Sequence, residues 1–150
     1  MSIIDAHRAA IRGSATGFYS REVIEEWAPI SVSPERVEGF ARAIASGDEI
    51  VLVAVDSSDQ ILGFGSIVAS NNELRAVYVR SEHGRKGIGR AILRRLEDLA
   101  RDAGLIELRM DASINAEAFY TANGFTSEAS GEHPMPSGRR MACVRMRKSL

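Results

Sequence analysis

The chain has a single cysteine, Cys143, among its 150 residues. One thiol excludes an internal disulfide framework, and no Cys/His grouping has the spacing of a zinc site, so no metal is expected. No apolar run approaches the roughly 18–20 residues that cross a bilayer, which excludes a membrane-spanning helix and a membrane partner. The opening Met1-Ser2-Ile3-Ile4-Asp5-Ala6-His7 lacks a basic segment followed by an apolar core, so no secretory signal is expected and a reducing, cytoplasmic setting fits. Charge of one sign is missing too: 19 Lys and Arg stand against 20 Asp and Glu, for a net charge of −1. Duplex nucleic-acid binders draw affinity from a broad phosphate-neutralising surface, and this balance argues against that class. Repeats, low-complexity tracts and linkers are absent as well.

What the chain does have is enough apolar material for a core. Hydrophobic residues make up 45%, and residues 1–150 suit one compact domain. Residues 3–12 read as a short helix and residues 21–28 as a second, ending before Pro29. Ser33-Pro34-Glu35 opens a third with a capping serine and a proline at the first helical position, running to about Ser46-Gly47. The period then changes. Ile50–Val55 is a β-branched run, Ile61–Ala69 follows a turn at 56–60, and Leu74–Val79 alternates. Short turns make these three strands an antiparallel meander. Ile88, Ala91, Ile92, Leu96, Leu99 and Ala103 recur at helical spacing up to Gly104. Residues 106–110 read as a strand, 115–122 as a short helix, and 125–130 and 141–146 as final strands around a loop at 131–138. The expected class is mixed α/β, with a strand–loop–helix–strand crossover at its centre.

The crossover loop carries chemistry. His83-Gly84-Arg85-Lys86-Gly87-Ile88-Gly89-Arg90 joins a strand to a helix. Glycines permit a sharp turn and close backbone approach, and the first N–H groups of a helix lack internal partners and carry its positive dipole end. A pyrophosphate suits such a site, with Arg85, Lys86 and Arg90 adding charge. A plain turn that starts a helix is the bland alternative. The spacing excludes a Walker loop, and the meander before it does not match a dinucleotide-binding βαβ unit. Two other basic clusters, Arg90-Arg94-Arg95 and Arg139 through Lys148, read as solvated faces.

Taken together, Leu74–Val79, Gly84-Arg85-Lys86-Gly87-Ile88-Gly89-Arg90-Ala91-Ile92-Leu93, Ala112-Ser113-Ile114-Asn115-Ala116-Glu117-Ala118-Phe119-Tyr120 and Asn123-Gly124-Phe125 resemble the GCN5-related N-acetyltransferase (GNAT) superfamily over residues 50–130. Two features depart from it. Gly84 stands where the family usually has Gln or Arg, and the family's N-terminal strand is lacking, so that either Ile50–Val55 is an exposed edge inviting a partner chain or homodimer, or the true start lies upstream.

The resemblance implies a GNAT-like, mostly antiparallel sheet, splayed at its centre and flanked by helices, with acetyl-coenzyme A as co-substrate. The strands at 73–80 and 105–110 would part. The pantetheine arm would lie along Val77, Tyr78 and Val79, and the pyrophosphate would rest on Gly84 to Gly89, Ile88 included. Ser113 and Asn115 would lie near the cofactor, although capping of the following helix alone would explain Asn115. Tyr120 is the candidate acid for the leaving thiolate, its alternative being an aromatic packed beside Phe119. A backbone N–H, that of Val77, is the candidate oxyanion donor. Glu73, at the interval from Gly87 seen in histone-acetylating members, is the candidate base acting through water, or else an exposed turn carboxylate. His83 and His133 also carry imidazoles suited to proton transfer. His133 in the late loop and Trp27 in the helical region are candidate acceptor-pocket residues, with core burial the alternative for Trp27. The expected reaction is direct acetyl transfer to a primary amine, without an acyl-cysteine at Cys143. A non-catalytic acyl-CoA sensor on the same fold, or an RNA-associated protein using the Arg139–Lys148 end, are the rival readings.

Overall fold

The computed structural model describes residues 2–150. Three helices come first: α1 (Ile3–Ser14), α2 (Arg21–Trp27) and α3 (Pro34–Ser46). Each begins where a serine side chain accepts a hydrogen bond from an otherwise orphaned helix amide: Ser2 from Asp5, Ser20 from Val23 and Ser33 from Arg36. At Ser2 the Asp5 side chain returns a bond to complete a capping box. The strands β1 (Ile50–Val55), β2 (Ile61–Val68) and β3 (Glu73–Val79) follow, then α4 (Ile88–Asp102), β4 (Glu107–Ser113), α5 (Glu117–Ala122), β5 (Thr126–Pro134) and β6 (Arg140–Ser149).

The six strands form one sheet in the order β1-β2-β3-β4-β6-β5, antiparallel except where β3 meets β4. No strand precedes α1 among the described residues, and β1 is an edge, with Val53 and Val55 about half exposed. The helix α4 lies on one face. Its Ile92, Leu93, Leu96 and Ala100 pack on Ile67, Leu74, Leu108, Met110 and Met146. The approach is close: a Cβ at Gly65 would sit 2.8 Å from side-chain atoms of both Ile92 and Leu96. Leu96 is fully buried, so truncation to alanine would cost about 2–5 kcal/mol. The helix α1 covers the other face through Ala6, against Phe64 and Ala76.

Two irregularities in β3 shape everything that follows. Ser66 pairs with Ala76 but Ile67 pairs with Leu74, so Arg75 is an extra residue, a β-bulge. Beyond the bulge the facing is reset: Leu74 and Val77 meet the α4 core, whereas Ala76 and Tyr78 meet the α1 side. The second irregularity is the β3–β4 contact. Glu73 opposite Arg109 is its single paired position, held by the Arg109 amide donating to the Asn72 carbonyl at 2.8 Å. The two strands part from there.

The late boundaries differ from the sequence expectation. β4 runs on to Ser113, a 3₁₀ turn at Ile114–Ala116 precedes α5, and β5 and β6 extend to Pro134 and from Arg140. His133 therefore sits in a strand opposite Met141, not in a loop. Its Gly- and Pro-containing neighbourhood hid a hairpin whose register is set by the long partner strand. Among the described residues no helix is long and apolar enough to cross a membrane.

Candidate active site

The parted strands open a cleft of about 1210 Å³ that runs from the loop before α4 to the space beneath α1 and α2. Its wall on β3 is backbone. The Arg80 amide donates to Leu62 on β2 at 2.9 Å. Alternation along the strand therefore turns Tyr78 and Ala76 toward β2 as well, and turns the main-chain groups of Val77 and Val79 into the cleft. Tyr78 was expected to offer backbone; it offers its side chain instead. Its ring lies edge-on to His7 at 4.8 Å and to Trp27 at 6.3 Å. Burial pushes its phenol up to about 12, against a hydrogen bond from Trp27.

The loop at the cleft's end folds as a row of open amides. The Gly84 N–H is taken by the Ser81 carbonyl at 3.1 Å, so the free run begins one residue later than expected. Among the described residues the amides of Arg85, Lys86, Gly87, Ile88, Gly89 and Arg90 find no acceptor, and the first ordinary helical bond is Ala91 to Gly87 at 2.9 Å. Left-handed backbone at Arg85 (φ 59°) and Gly87 (φ 81°) produces this arrangement. Successive N–H groups converge on one concavity, as in anion-binding nests. Gly87 holds its conformation without strain, and nothing stands within 4 Å of where its Cβ would be. Neither Arg85 nor Arg90 has a carboxylate partner among the described residues, and Lys86 reaches only the Glu82 carbonyl at 3.5 Å. Four of the Arg139–Lys148 cations are by contrast engaged: Arg139 with Glu26, Arg140 with Glu132, Arg147 with Glu107 and Glu128, and Lys148 with Glu97 at 2.6 Å.

Tyr120 enters from the α4 side. It is 3% exposed, packed edge-on against Phe119 and Phe125. Burial drives its phenol far above the usual range, Tyr78 adds to this, and a backbone hydrogen bond from Val77 opposes it. The phenol thus stays protonated beside the amide expected to serve the oxyanion. Asn115 does not cap α5. Its Nδ2 donates to Ser14 at 3.2 Å, fastening α1 to the far wall, while its Oδ1 is buried without a partner. Ser113 lines the cleft at the end of β4.

The opposite face is built from side chains. Trp27, His7, Phe64 and Tyr78 supply aromatic surface, and Glu49, Glu73, Asp111 and His133 supply polar groups. Glu73 is bound to Arg75 through contacts of 3.1 and 3.4 Å, and Arg75 also reaches the buried Glu49 at 3.1 Å. Burial lowers the His7 imidazole to about 4, with Arg36 and Arg8 acting the same way, so it is neutral near pH 7. Burial also pushes the Cys143 thiol up, and Asp111 reinforces this. The sequence reading missed Tyr19, whose hydroxyl donates to Ala142 and accepts from the Ile114 amide, both at 2.7 Å. It also missed Asp111, although the alternation Leu108-Arg109-Met110-Asp111-Ala112 already places that carboxylate on the face opposite the core. Among the described residues no group of His, Cys, Asp or Glu could hold a metal ion.

A family model described as an acetyltransferase (GNAT) domain matches residues 16–150. The chain belongs to the GNAT family. A GCN5-related N-acetyltransferase from Rhodopseudomonas palustris is 27% identical over 99% of this chain and 88% of its own, with a TM-score of 0.83. The PaiA N-acetyltransferase from Thermoplasma acidophilum, solved with coenzyme A, is 25% identical over 98% and 90%, with a TM-score of 0.76. A spermidine N-acetyltransferase SpeG chimera from Vibrio cholerae, 20% identical over 81% and 78% at a TM-score of 0.64, shares the fold. No curated protein sequence gives a significant match. This GNAT protein is an acetyl-CoA-dependent acyltransferase, and its row of open amides, unpaired cations and strand-lined cleft fit a diphosphate carrying a long thioester arm.

Proposed function

We propose that this enzyme transfers acetyl from acetyl-CoA directly to a primary amine, with Tyr120 as the acid that protonates the leaving sulfur. The observation that carries the reading is the placement of a buried, protonated phenol beside the cleft-facing amide of Val77, inside the cleft that begins at the open amides of 85–90. Pyrophosphate would rest on those amides with Arg85 and Arg90 beside it, and the pantetheine amides would pair with Val77 and Val79. Ser113 and the orphaned Asn115 oxygen would border the arm. A water-poor site strengthens each of these contacts.

The acceptor would approach from the face of α1 and α2, across the sheet from Tyr120. Trp27, Tyr78 and His7 would flank it, and its proton would leave on that same face, where Glu73 and His133 both line the cleft. A raised thiol at Cys143 supports direct transfer over an acyl-cysteine, because the thiolate is the nucleophile. The balanced charge leaves no support for an RNA-binding role. The lone thiol suits a cytoplasmic enzyme acting as one domain.

The test is thiol release from acetyl-CoA against a panel of primary amines: alkylamines, aralkylamines, amino acids and lysine-containing peptides. Amine-dependent release with a mass gain of one acetyl group is the expected result. Tight coenzyme A binding with no acceptor turned over would instead favour a non-catalytic sensor.

A further inference from the structure

The acceptor face carries an imidazole paired with a carboxylate from β4. His133 Nδ1 lies 3.4 Å from Asp111 Oδ2, and both side chains line the cleft. The topology accounts for the meeting. Asp111 is two residues beyond the Glu73–Arg109 contact at which β3 and β4 part, so it stands on the β4 wall at the start of the opening, across from the bulged Arg75. Met110 and Ala112 on either side of it are buried in the core that also contains Tyr120, so Asp111 points to the opposite face. Ser113 pairs with Cys143, Cys143 with Gly131, and Met141 with His133, which brings His133 over the same face from the hairpin.

We infer that His133, oriented by Asp111, is the group that takes the proton from the acceptor ammonium. The inference rests on the proposed acetyl transfer and gives each face of the sheet one proton. The ammonium gives a proton to His133, and the freed nitrogen pair bonds to the thioester carbonyl carbon. The C–S bond breaks, and sulfur keeps its electrons and takes the Tyr120 proton. The surplus proton on nitrogen returns to the Tyr120 oxygen. One proton thus passes to His133, whose side chain is 58% exposed and delivers it to water. Apo separations of such pairs are commonly long and shorten with substrate bound. Glu73 is the competing base, but its carboxylate is already held by Arg75 at the point where the strands are still joined. Asp111 is a positioning residue; His133 is the catalytic one. Facing them are Cys143 and Arg145 from β6 and Glu132 of the hairpin, itself paired with Arg140, while Glu73, Arg109 and Glu128 share a smaller cavity with Asp111 and Arg145.

The experiment is a pH profile of kcat/KM with the fastest amine of the panel, for the wild type, His133→Gln, Asp111→Asn, the double variant and Glu73→Gln, with acetyl-CoA affinity measured by calorimetry as the folding control. His133→Gln should lower kcat/KM by ~10²-fold and erase the acid limb of the profile. Asp111→Asn should cost ~10-fold, and the double variant should be no slower than His133→Gln alone, because partners in one unit are not additive. All should bind acetyl-CoA normally. An acid limb that survives in His133→Gln but vanishes in Glu73→Gln overturns the inference while leaving acetyl transfer standing. Independent, multiplying losses at His133 and Asp111 also overturn it. A wild type that binds acetyl-CoA and acetylates no amine removes the parent reading and the relay with it.

Discussion

The loop at 85–90 presents main-chain N–H groups to the cleft, and along β3 the main-chain groups of Val77 and Val79 face it. The facing wall, from α1, α2 and the β5–β6 hairpin, offers indole, imidazole and carboxylate groups, and Tyr78 of β3 adds a phenol. A backbone site recognises what every substrate of the reaction has in common, a diphosphate and an amide-bearing arm. It needs little from side chains except that glycine permit the turn. A side-chain site recognises what differs between acceptors, and each residue in it can change without disturbing the fold. On the proposed reading, the half that would bind acetyl-CoA leaves a spaced motif in the chain, and the half that would choose the acceptor does not.

The sharpest way to break this comparison is at Gly87. Gly87→Glu should reduce acetyl-CoA affinity by ~10³-fold or more, since it adds a negative charge beside the phosphates and a Cβ at positive φ. Gly87→Ala is its control: there is open space for the Cβ, and the cost should be about 1 kcal/mol of backbone strain, with binding retained. Calorimetry reads both. Tyr120→Phe should lower kcat by ~10²-fold with unchanged acetyl-CoA affinity, separating chemistry from binding. Comparable turnover in that variant, with chemistry rate-limiting, would remove the acid assignment.

Two smaller effects probe the side-chain half. Arg75→Met strips the cation from Glu49, which is 4% exposed. Urea titration should show a loss of about 2 kcal/mol, below the cost for a fully buried pair because Arg75 is itself half exposed. Adding Glu49→Gln should recover much of it. His7 gives a pH signature. Its folded imidazole is held to about 4 against an ordinary 6.5, so the unfolded chain takes up a proton first as pH falls. The stability it contributes is complete above pH 6.5 and lost toward pH 4, on the order of 2–3 kcal/mol. In His7→Gln that part of the slope should disappear from thermal melts.

The fold was legible because its signals are local. The switch from helical spacing to β-branched alternation at Ile50, the Ser33-Pro34 start and the Gly104 stop all lie where the structure has them. The parting of β3 and β4 came from family resemblance, since nothing in Glu73–Val79 alone announces a bulge at Arg75. What stayed hidden is non-local. The Asp111–His133 pair spans 22 residues of chain and the Asn115–Ser14 bond spans 101. A strand read as ending at Met110 left Asp111 without a place. Asn115 looked like a cap because caps are local, whereas its partner is brought by the packing of α1.

The most direct test of the account is to follow backbone amide shifts by NMR as coenzyme A is added. The amides of residues 85–90 and of Val77 and Val79 should move together at a single affinity, while those of Ala76 and Tyr78, committed to β2, move least. Shifts confined to the arginine side chains, with the loop amides still, would contradict a site made of main chain.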